Sequence, residues 1–372
     1  MSDAVLPSGM TTTDDSAIAT APGPQDYATT VADLAVDADI IIALWSTGLS
    51  HNGRPDVKLD WYYRNNLEGA PLIVLLHHSG TRGAVGVAAV GPRRIRFGNE
   101  TLTGGVMVDF VIQPDHRTFF PAMFLQRETR RRALGQFAIL FGLPNAKAQP
   151  IMHRVGHRCV GQLVRRVRVL QSSAYLVKYL PDKLSRIIGG AIDRCRSTSL
   201  AIRGLFNNGY ISQWLERPDD AFNELWRRAA TPNVVIGFRD MAFLTWRFAN
   251  VPSKPFKFFT LASSTDQQLV AYAVCAAHGS VLHVHDFLVD PQISSASARL
   301  WLNLTREAIR LGYSSLSIEF LGSDRQQRQL GAAGLLVRGR QPVYASVTES
   351  PNGADVWPTE MSPWYMTAAD CD

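Results

Sequence analysis

Two nine-residue stretches of this chain carry the same pattern at distant positions. DFVIQPDHR begins at Asp109, and DFLVDPQIS begins at Asp286. Each stretch runs through an acid, an aromatic residue, two aliphatic residues, a polar residue and a proline. Neither copy is low-complexity, so chance and duplication of a folding unit are the two explanations. Only duplication predicts that other landmarks recur in the same order.

Further landmarks do recur in order. LDWYYRN begins at Leu59, and LTWRFAN begins at Leu244, which is 185 positions later. A short apolar segment typical of a buried strand follows each of them, APLIVLLHH in the first half and FKFFTLA in the second. In both halves the acid-aromatic strand is then followed by a helical pattern and by another strand. The shared order indicates duplication of one α/β unit.

The length of the chain fits two such units. At 372 residues it exceeds one ordinary core, and 46% hydrophobic with 19% charged residues is typical of a globular protein. The sequence predicts five segments. They are a disordered tail at 1–30, a first lobe at 31–164, a basic helical connector at 165–219, a second lobe at 220–347 and a proline- and aromatic-rich tail at 348–372.

The formal charge of +6 is concentrated in one region, because 154–203 contains eleven Lys or Arg residues and only two Asp. Three interpretations stay open for this region: a solvated face, contact with an anionic membrane surface, or nucleic-acid binding. Nucleic acid is the least expected partner, since no recognised binding module or aromatic stacking pattern accompanies the charges. The scattered cysteines and the lack of a signal-like N-terminus predict a cytoplasmic protein, with peripheral contact to the inner face of the membrane as the alternative. The cysteines have no metal-ligand spacing with histidine, so no metal is predicted.

The sequence resembles the GNAT superfamily of acyl-CoA N-acyltransferases in two respects. One is the strand that ends in the acid-aromatic pattern, with the turn and helix after it. The other is the spacing of Asn145, Ala148 and Gly156. More narrowly, WYYRNN, VGPRRI, FGLPNAKA and FLTWRFANVP look like two-lobed acyltransferases associated with polysaccharide biosynthesis. Fem-type aminoacyl transferases are similar in architecture. The resemblance covers most of 35–160 and 220–345, and it implies an α/β (α+β) fold of two tandem GNAT-like lobes, each a mixed sheet flanked by helices.

The same resemblance implies transfer of an acyl group, in the first instance acetyl, from acyl-CoA to an amine such as an amino sugar, by direct attack in a ternary complex. The cofactor diphosphate would bind backbone amides at a helix start, and its pantetheine would add to a splayed strand. The implied cofactor-binding residues are Val111, Ile112, Arg117, Thr118, Phe119, Phe120, Ala122, Asn145, Ser295 and Ser297.

Asp109 and Asp286 occupy the place of a carboxylate that takes a proton from the attacking amine. Each of them could instead cap a turn or pair with a nearby arginine. The family's tyrosine, which protonates the leaving thiolate, is replaced by Met152, so that His153 is the candidate acid beside water.

Phe120 is bulkier than the small residue that the family prefers in the phosphate-binding turn. The bulky Phe120 and the missing tyrosine are also compatible with a second hypothesis, a catalytically degenerate pair of lobes that binds a saccharide or a protein. The basic connector keeps open a Fem-type transferase that takes its donor from aminoacyl-tRNA.

Overall fold

The computed structural model describes residues 26–48, 54–172, 188–191, 209–229, 233–252, 255–349 and 357–371. The strands of the first half are β1 (Tyr27–Val31), β2 (Leu72–His78), β3 (Ala84–Phe97), β4 (Glu100–Ile112), β5 (Ile139–Gly142) and β6 (Arg158–Val169). Its helices are α1 (Ala38–Gly48), α2 (Pro55–Lys58, continued by a π-helical turn at Leu59–Arg64), α3 (Phe119–Ala133) and α4 (Gln149–Arg154).

The second half has a similar set of elements. Its strands are β7 (Tyr210–Leu215), β8 (Val235–Gly237), β9 (Lys257–Ser263), β10 (Leu269–His278), β11 (Val281–Val289), β12 (Ser315–Leu321), β13 (Leu336–Val347) and β14 (Trp364–Thr367). Its helices are α5 (Asp220–Arg228), α6 (Met241–Leu244, continued by a π-helical turn at Thr245–Ala249), α7 (Ala296–Arg310) and α8 (Asp324–Ala332).

Most elements of the two halves correspond, although β8 and β14 have no counterpart in the first half. Strands β2 and β9 each have 7 residues and begin 185 positions apart, at Leu72 and Lys257. Helices α3 and α7 each have 15 residues and begin 177 positions apart, at Phe119 and Ala296. Both π-helical turns fall on the repeated Trp-containing segment, and the rings of Trp61 and Trp246 stack with centroids 5.2 Å apart. The predicted two-lobed α/β fold is confirmed.

The last strands of the two halves are exchanged within the single sheet that the described residues form. The strand order is β1-β2-β3-β4-β5-β13-β6-β12-β11-β10-β9-β7, so that β13 lies next to β5, and β6 lies next to β12. The predicted end of the first lobe at residue 164 therefore falls inside β6, whose pairing continues to Val169. The predicted helical connector contains strand residues at 165–169 and 210–215, and most of what lies between, 173–187 and 192–208, is outside the described residues.

Both predicted tails contain ordered strands. Tyr27 in β1 is buried, and β1 pairs with β2 along its whole length, so the tail prediction for 1–30 is wrong for its last residues. Strand β14, in the predicted irregular tail, has four buried residues and pairs with both β12 and β8. Its pattern was hidden because it has only four residues and follows a proline-rich segment.

Buried His157 links the exchanged strand β13 to the first lobe, since its Nδ1 lies 2.9 Å from Ser346 Oγ. The imidazole is 0% exposed, and burial, assisted by the charge of Arg130, lowers its pKa to about 4. The unfolded chain therefore binds a proton below about pH 6.5 that the folded chain does not bind, and the free energy of unfolding falls with pH in the window from 6.5 to 4.

We expect the free energy of unfolding to drop by about 2 kcal/mol between pH 7 and pH 5 because of this one group. The variant His157→Gln should lose that part of the pH dependence, as measured by urea unfolding at both pH values. His153→Gln, which alters an exposed histidine on α4, is the matched control and should keep it. Equal pH dependence of the unfolding free energy in the wild type and in His157→Gln would show that His157 is not its source.

Candidate functional site

Strands β4 and β5 diverge after a short parallel pairing, which joins Gly104–Val106 to Ile139–Phe141. Beyond this point no strand among the described residues pairs with that side of β4. Met107, Val108 and Phe110 are half-buried there, although β4 lies well inside the sheet. We call this gap beside 107–112 of β4 the first-lobe wedge.

A β-bulge sets the side chain of Asp109 beside the wedge. Val87 faces Val111 and Ala89 faces Val108 across the β3–β4 ladder, so that Asp109 lies in the extra part of β4. Its φ of 50° is in the left-handed region, which non-glycine residues seldom adopt. Such backbone strain is concentrated at functional sites. The strained bulge at Asp109 therefore marks this part of β4 as a candidate functional site.

The Asp109 carboxylate lies against the helices before β2. Its Oδ1 accepts a hydrogen bond from Lys58 Nζ at 2.6 Å, and its Oδ2 accepts one from Tyr63 Oη at 2.6 Å. The rings of Trp45 and Tyr62 have centroids 6.0 and 5.8 Å from the same Nζ. A carboxylate with aromatic faces beside it binds an ammonium group well. We call these four residues, Asp109, Tyr63, Trp45 and Tyr62, the ammonium site.

Helix α3 begins just past the wedge with exposed residues. Thr118 is its N-cap residue in an extended conformation, and the Thr118 side chain makes no capping hydrogen bond. Phe119 is 45% exposed, and the Arg154 guanidinium lies 4.7 Å from its ring centroid. Arg117 Nε donates to Ile112 O at 3.1 Å, so that this guanidinium is held at the helix start. The helix dipole and the first-turn amides of Phe119 and Phe120, with two arginines nearby, suit an anionic group, although Pro121 has no N–H to offer.

The other predicted first-lobe residues have varied positions. The ring of Phe120 packs against Tyr27 and Phe124, with centroid distances of 6.1 and 6.0 Å. Asn145 Oδ1 accepts hydrogen bonds from Lys147 N and Ala148 N, so that it caps the turn before α4. The remaining predicted residues with buried side chains, which offer a ligand mainly their backbone, are Val111, Ile112 and Ala122.

The second lobe uses its aspartate differently. Asp286 is fully buried and accepts hydrogen bonds from Arg239 Nε at 2.9 Å, Tyr272 Oη at 2.7 Å and Thr367 Oγ1 at 2.7 Å. Arg239 also pairs with Asp370. Asp286 therefore has the structural role that the sequence left open, pairing with an arginine. It cannot receive a substrate amine while this network is intact.

Charge coupling dominates the network around Arg239. Burial alone would lower the pKa of Arg239, but attraction by Asp286 and Asp370 outweighs it and raises that pKa. Burial would likewise raise the pKa of Asp370, and attraction by Arg239 and Arg93 lowers it instead. Asp286 differs, because burial outweighs the attraction of Arg239 and raises its pKa.

Strand β14 fills the second-lobe counterpart of the wedge. Strands β11 and β12 pair from Val281 to Val284 and then diverge, as β4 and β5 do. Beyond this point β14 pairs with β12, placing Thr367 opposite Phe320, and Tyr365 Oη donates to Phe287 O of β11. The two lobes therefore differ at the same place in the fold.

A cavity of about 230 Å³ lies near the starts of α7 and α8 in the second lobe. Ser297, Ser323, Trp301 and Tyr365 are among its lining residues, and β14 thus forms part of its wall. The hydroxyl of the predicted residue Ser295 lies 2.8 Å from Tyr210 Oη. The serine-containing start of α7 therefore borders a cavity, but the gap between β11 and β12 behind it is occupied.

The sequence did not identify Lys58, Tyr63 or Arg239 as residues of these sites. Tyr63 lies in the repeated Trp-containing segment, so the repeat drew attention to it without assigning a role. Lys58 has no counterpart in the repeated pattern. Among the described residues, no helix is long and apolar enough to cross a membrane, and no group of three His, Cys, Asp or Glu side chains is placed to hold a metal ion.

No protein-family model matches the sequence, and no curated protein sequence matches it either. Solved structures do match the fold. A GCN5-related N-acetyltransferase from Anabaena variabilis ATCC 29413 has a TM-score of 0.59 at 10% identity, covering 86% of this chain and 72% of that one. A tandem GNAT protein from the clavulanic acid biosynthesis pathway has a TM-score of 0.52 at 10% identity, covering 87% and 98%. Saccharomyces cerevisiae N-myristoyltransferase with bound myristoyl-CoA has a TM-score of 0.52 at 11% identity, covering 92% and 89%. This chain therefore has the fold of two-lobed GNAT-type acyltransferases.

Proposed function

We propose that this protein is an acyl-CoA-dependent N-acyltransferase with its reacting centre in the first lobe. One observation carries the proposal: among the described residues no strand pairs with β4 beyond Val106 on the side of the first-lobe wedge, whereas β14 occupies the equivalent gap of the second lobe. Solved structures of the same fold include one with bound myristoyl-CoA and several N-acetyltransferases, which supports an acyl-CoA donor.

The first lobe offers each part of the donor a suitable place. The side of 107–112 with which no described strand pairs can take the pantetheine amides as a short added strand. The start of α3, with Thr118, Arg117 and Arg154 around it, suits the diphosphate. Phe120 leaves room for this arrangement if its ring stays against Tyr27 and Phe124.

The ammonium site would hold the acceptor amine next to the thioester. Asp109 accepts the proton that the nitrogen loses as the new C–N bond forms, and Tyr63 holds the other carboxylate oxygen in place. The departing thiolate takes a proton from water or from exposed His153 on α4. Direct transfer of this kind needs no covalent enzyme intermediate.

We extend the proposal to an acetyl group as the acyl unit and to an amino sugar of a polysaccharide precursor as the acceptor. The support for both is the resemblance of the sequence motifs to two-lobed acyltransferases of that type. Contact of the basic segment 154–203 with an anionic membrane surface would bring the enzyme to a lipid-linked saccharide. A degenerate lobe pair that only binds such a saccharide is the second candidate, because the second lobe has already lost an accessible aspartate.

The N-cap residues Thr118 and Ser295 provide a matched test, since they begin α3 and α7 and are 177 positions apart. Aspartate is a good N-cap residue, so neither Thr118→Asp nor Ser295→Asp should weaken its helix. We expect Thr118→Asp to reduce the affinity for acetyl-CoA or myristoyl-CoA by about tenfold or more, because the new carboxylate repels the diphosphate. Isothermal titration calorimetry at low salt measures this.

Ser295→Asp should leave the affinity unchanged, with one molecule bound per chain. If Ser295→Asp weakens binding and Thr118→Asp does not, the donor binds in the second lobe. If neither acyl-CoA binds the wild type while tRNA binds in a salt-sensitive way, the aminoacyl-tRNA-dependent alternative replaces the proposal. If neither donor binds, the degenerate binding protein remains.

A further inference from the structure

We propose that Lys58 is an acyl acceptor within its own chain, so that the enzyme acylates Lys58 Nζ when no better amine is present. This inference rests on the proposed function, because it needs an acyl-CoA in the first-lobe wedge. It adds a modification site to that function and identifies the class of acceptor that the site takes, a primary amine on a flexible aliphatic chain.

The Lys58 amine lies where a substrate amine would lie. Lys58 Nζ is 2.6 Å from Asp109 Oδ1 and lies beside the rings of Trp45 and Tyr62. These are the groups that would receive a substrate ammonium. An external acceptor must therefore displace Lys58 from Asp109, or Lys58 itself must be the acceptor.

Solvent has limited access to the Lys58–Asp109 pair. The Lys58 side chain is 18% exposed and that of Asp109 is 4% exposed, so that the pair is largely enclosed but not sealed from solvent. Tyr63 binds the second oxygen of Asp109, which leaves Oδ1 as the oxygen directed to the amine. Asp109 belongs to the bulged part of β4 that borders the wedge. The amine, the base and the wedge thus adjoin one another.

The reaction balances without any further reactant. Lys58 loses one proton to water, and the neutral amine attacks the thioester carbonyl. The C–N bond forms and the C–S bond breaks, while Asp109 takes the second proton of the nitrogen and passes it to water. The thiolate leaves and is protonated from water, giving CoA and an amide on Lys58. The amide has no charge, so that acylated Lys58 no longer pairs with Asp109.

Lys257 is the internal control. Its Nζ lies 2.9 Å from Glu216 Oε1 in the second lobe, and its side chain is 54% exposed. It therefore has the same amine–carboxylate chemistry with far better access to solvent. Uncatalysed acylation by a reactive thioester should favour Lys257, whereas catalysis at the wedge should favour Lys58.

The experiment incubates the full chain, in separate samples, with acetyl-CoA and with myristoyl-CoA in the absence of other amines. Peptide mass spectrometry then measures the acylated fraction of each lysine. We expect at least about tenfold more acylation on Lys58 than on Lys257, as positioning next to a base and a bound donor should give. Asp109→Asn should reduce the Lys58 product to the Lys257 level, and Lys58→Arg should abolish it while the donor still binds.

The outcomes separate the two proposals. If titration shows that a donor binds and added amines are acylated while Lys58 stays unmodified, self-acylation is refuted and the proposed function stands. If Lys58 and Lys257 react equally, the modification is uncatalysed and the inference also fails. If neither donor binds, both proposals fall together.

Discussion

The variant Arg239→Met is expected to lose about 3–5 kcal/mol of unfolding free energy at neutral pH, the range for breaking a buried ion pair on one side. Arg239 is fully buried and pairs with both Asp286 and Asp370. In the variant Asp370 keeps its ion pair with Arg93, at 3.1 Å. Asp286 keeps only the hydroxyls of Tyr272 and Thr367 among the contacts described, and its charge is left in a low-dielectric core.

The pH dependence of this variant gives the loss a specific signature. Burial already raises the pKa of Asp286 in the wild type, where attraction by Arg239 opposes the rise. Without Arg239 that pKa should rise further, so that the folded variant binds a proton more readily than the folded wild type or the unfolded chain does. Stability of the variant should therefore rise as the pH falls from 7 toward 5, and its deficit relative to the wild type should shrink. Urea unfolding at several pH values measures both effects.

Arg227→Met is the matched control, because Arg227 forms an exposed ion pair with Glu224 on helix α5. Such surface pairs contribute about 0–1 kcal/mol. A loss in Arg239→Met no larger than in Arg227→Met, or a deficit that is constant with pH, would show that the network around Asp286 is not a stabilising core.

The fold was largely predictable from the sequence because its signals are local. Alternating and continuously apolar segments indicate strands regardless of which strand each pairs with. The repeated segments at Leu59 and Leu244 then indicate the same order of elements in both lobes. The exchange of β6 and β13 was not predictable, since each strand has the same local pattern whichever half it pairs with. Strand β14 was too short to give a signal against its proline-rich flank.

The candidate site was predictable only in part, for a similar reason. The position of Asp109 follows from the strand pattern, but its contact with Lys58 spans 51 positions and depends on a bulge with φ of 50°. The difference between Asp109 and Asp286 depends on partners from three other parts of the chain: Tyr272, Arg239 and Thr367. The shared local pattern at Asp109 and Asp286 cannot reveal such long-range contacts.

Because Asp109 and Asp286 have different surroundings, the same substitution at these equivalent positions should have different effects. Asp109→Asn should lower kcat for amine acylation by about 10²–10⁴-fold, the usual effect of removing a general base. Its effect on stability should be smaller than that of Asp286→Asn, because the Lys58 side chain is 18% exposed whereas that of Arg239 is fully buried. Acyl-CoA affinity should be unchanged, since the diphosphate and pantetheine places do not include this side chain.

Asp286→Asn should lower stability and leave kcat unchanged. The new amide group would face the buried guanidinium of Arg239 and leave the charge of that guanidinium half-compensated. We expect a loss of several kcal/mol of unfolding free energy, on the order of that for a broken buried pair, and any folded fraction should turn over with normal kcat. Steady-state kinetics and urea unfolding on both variants separate the two roles. If Asp286→Asn stays folded and inactive while Asp109→Asn remains active, the reacting centre lies in the second lobe, and β14 must leave its gap before the reaction can occur.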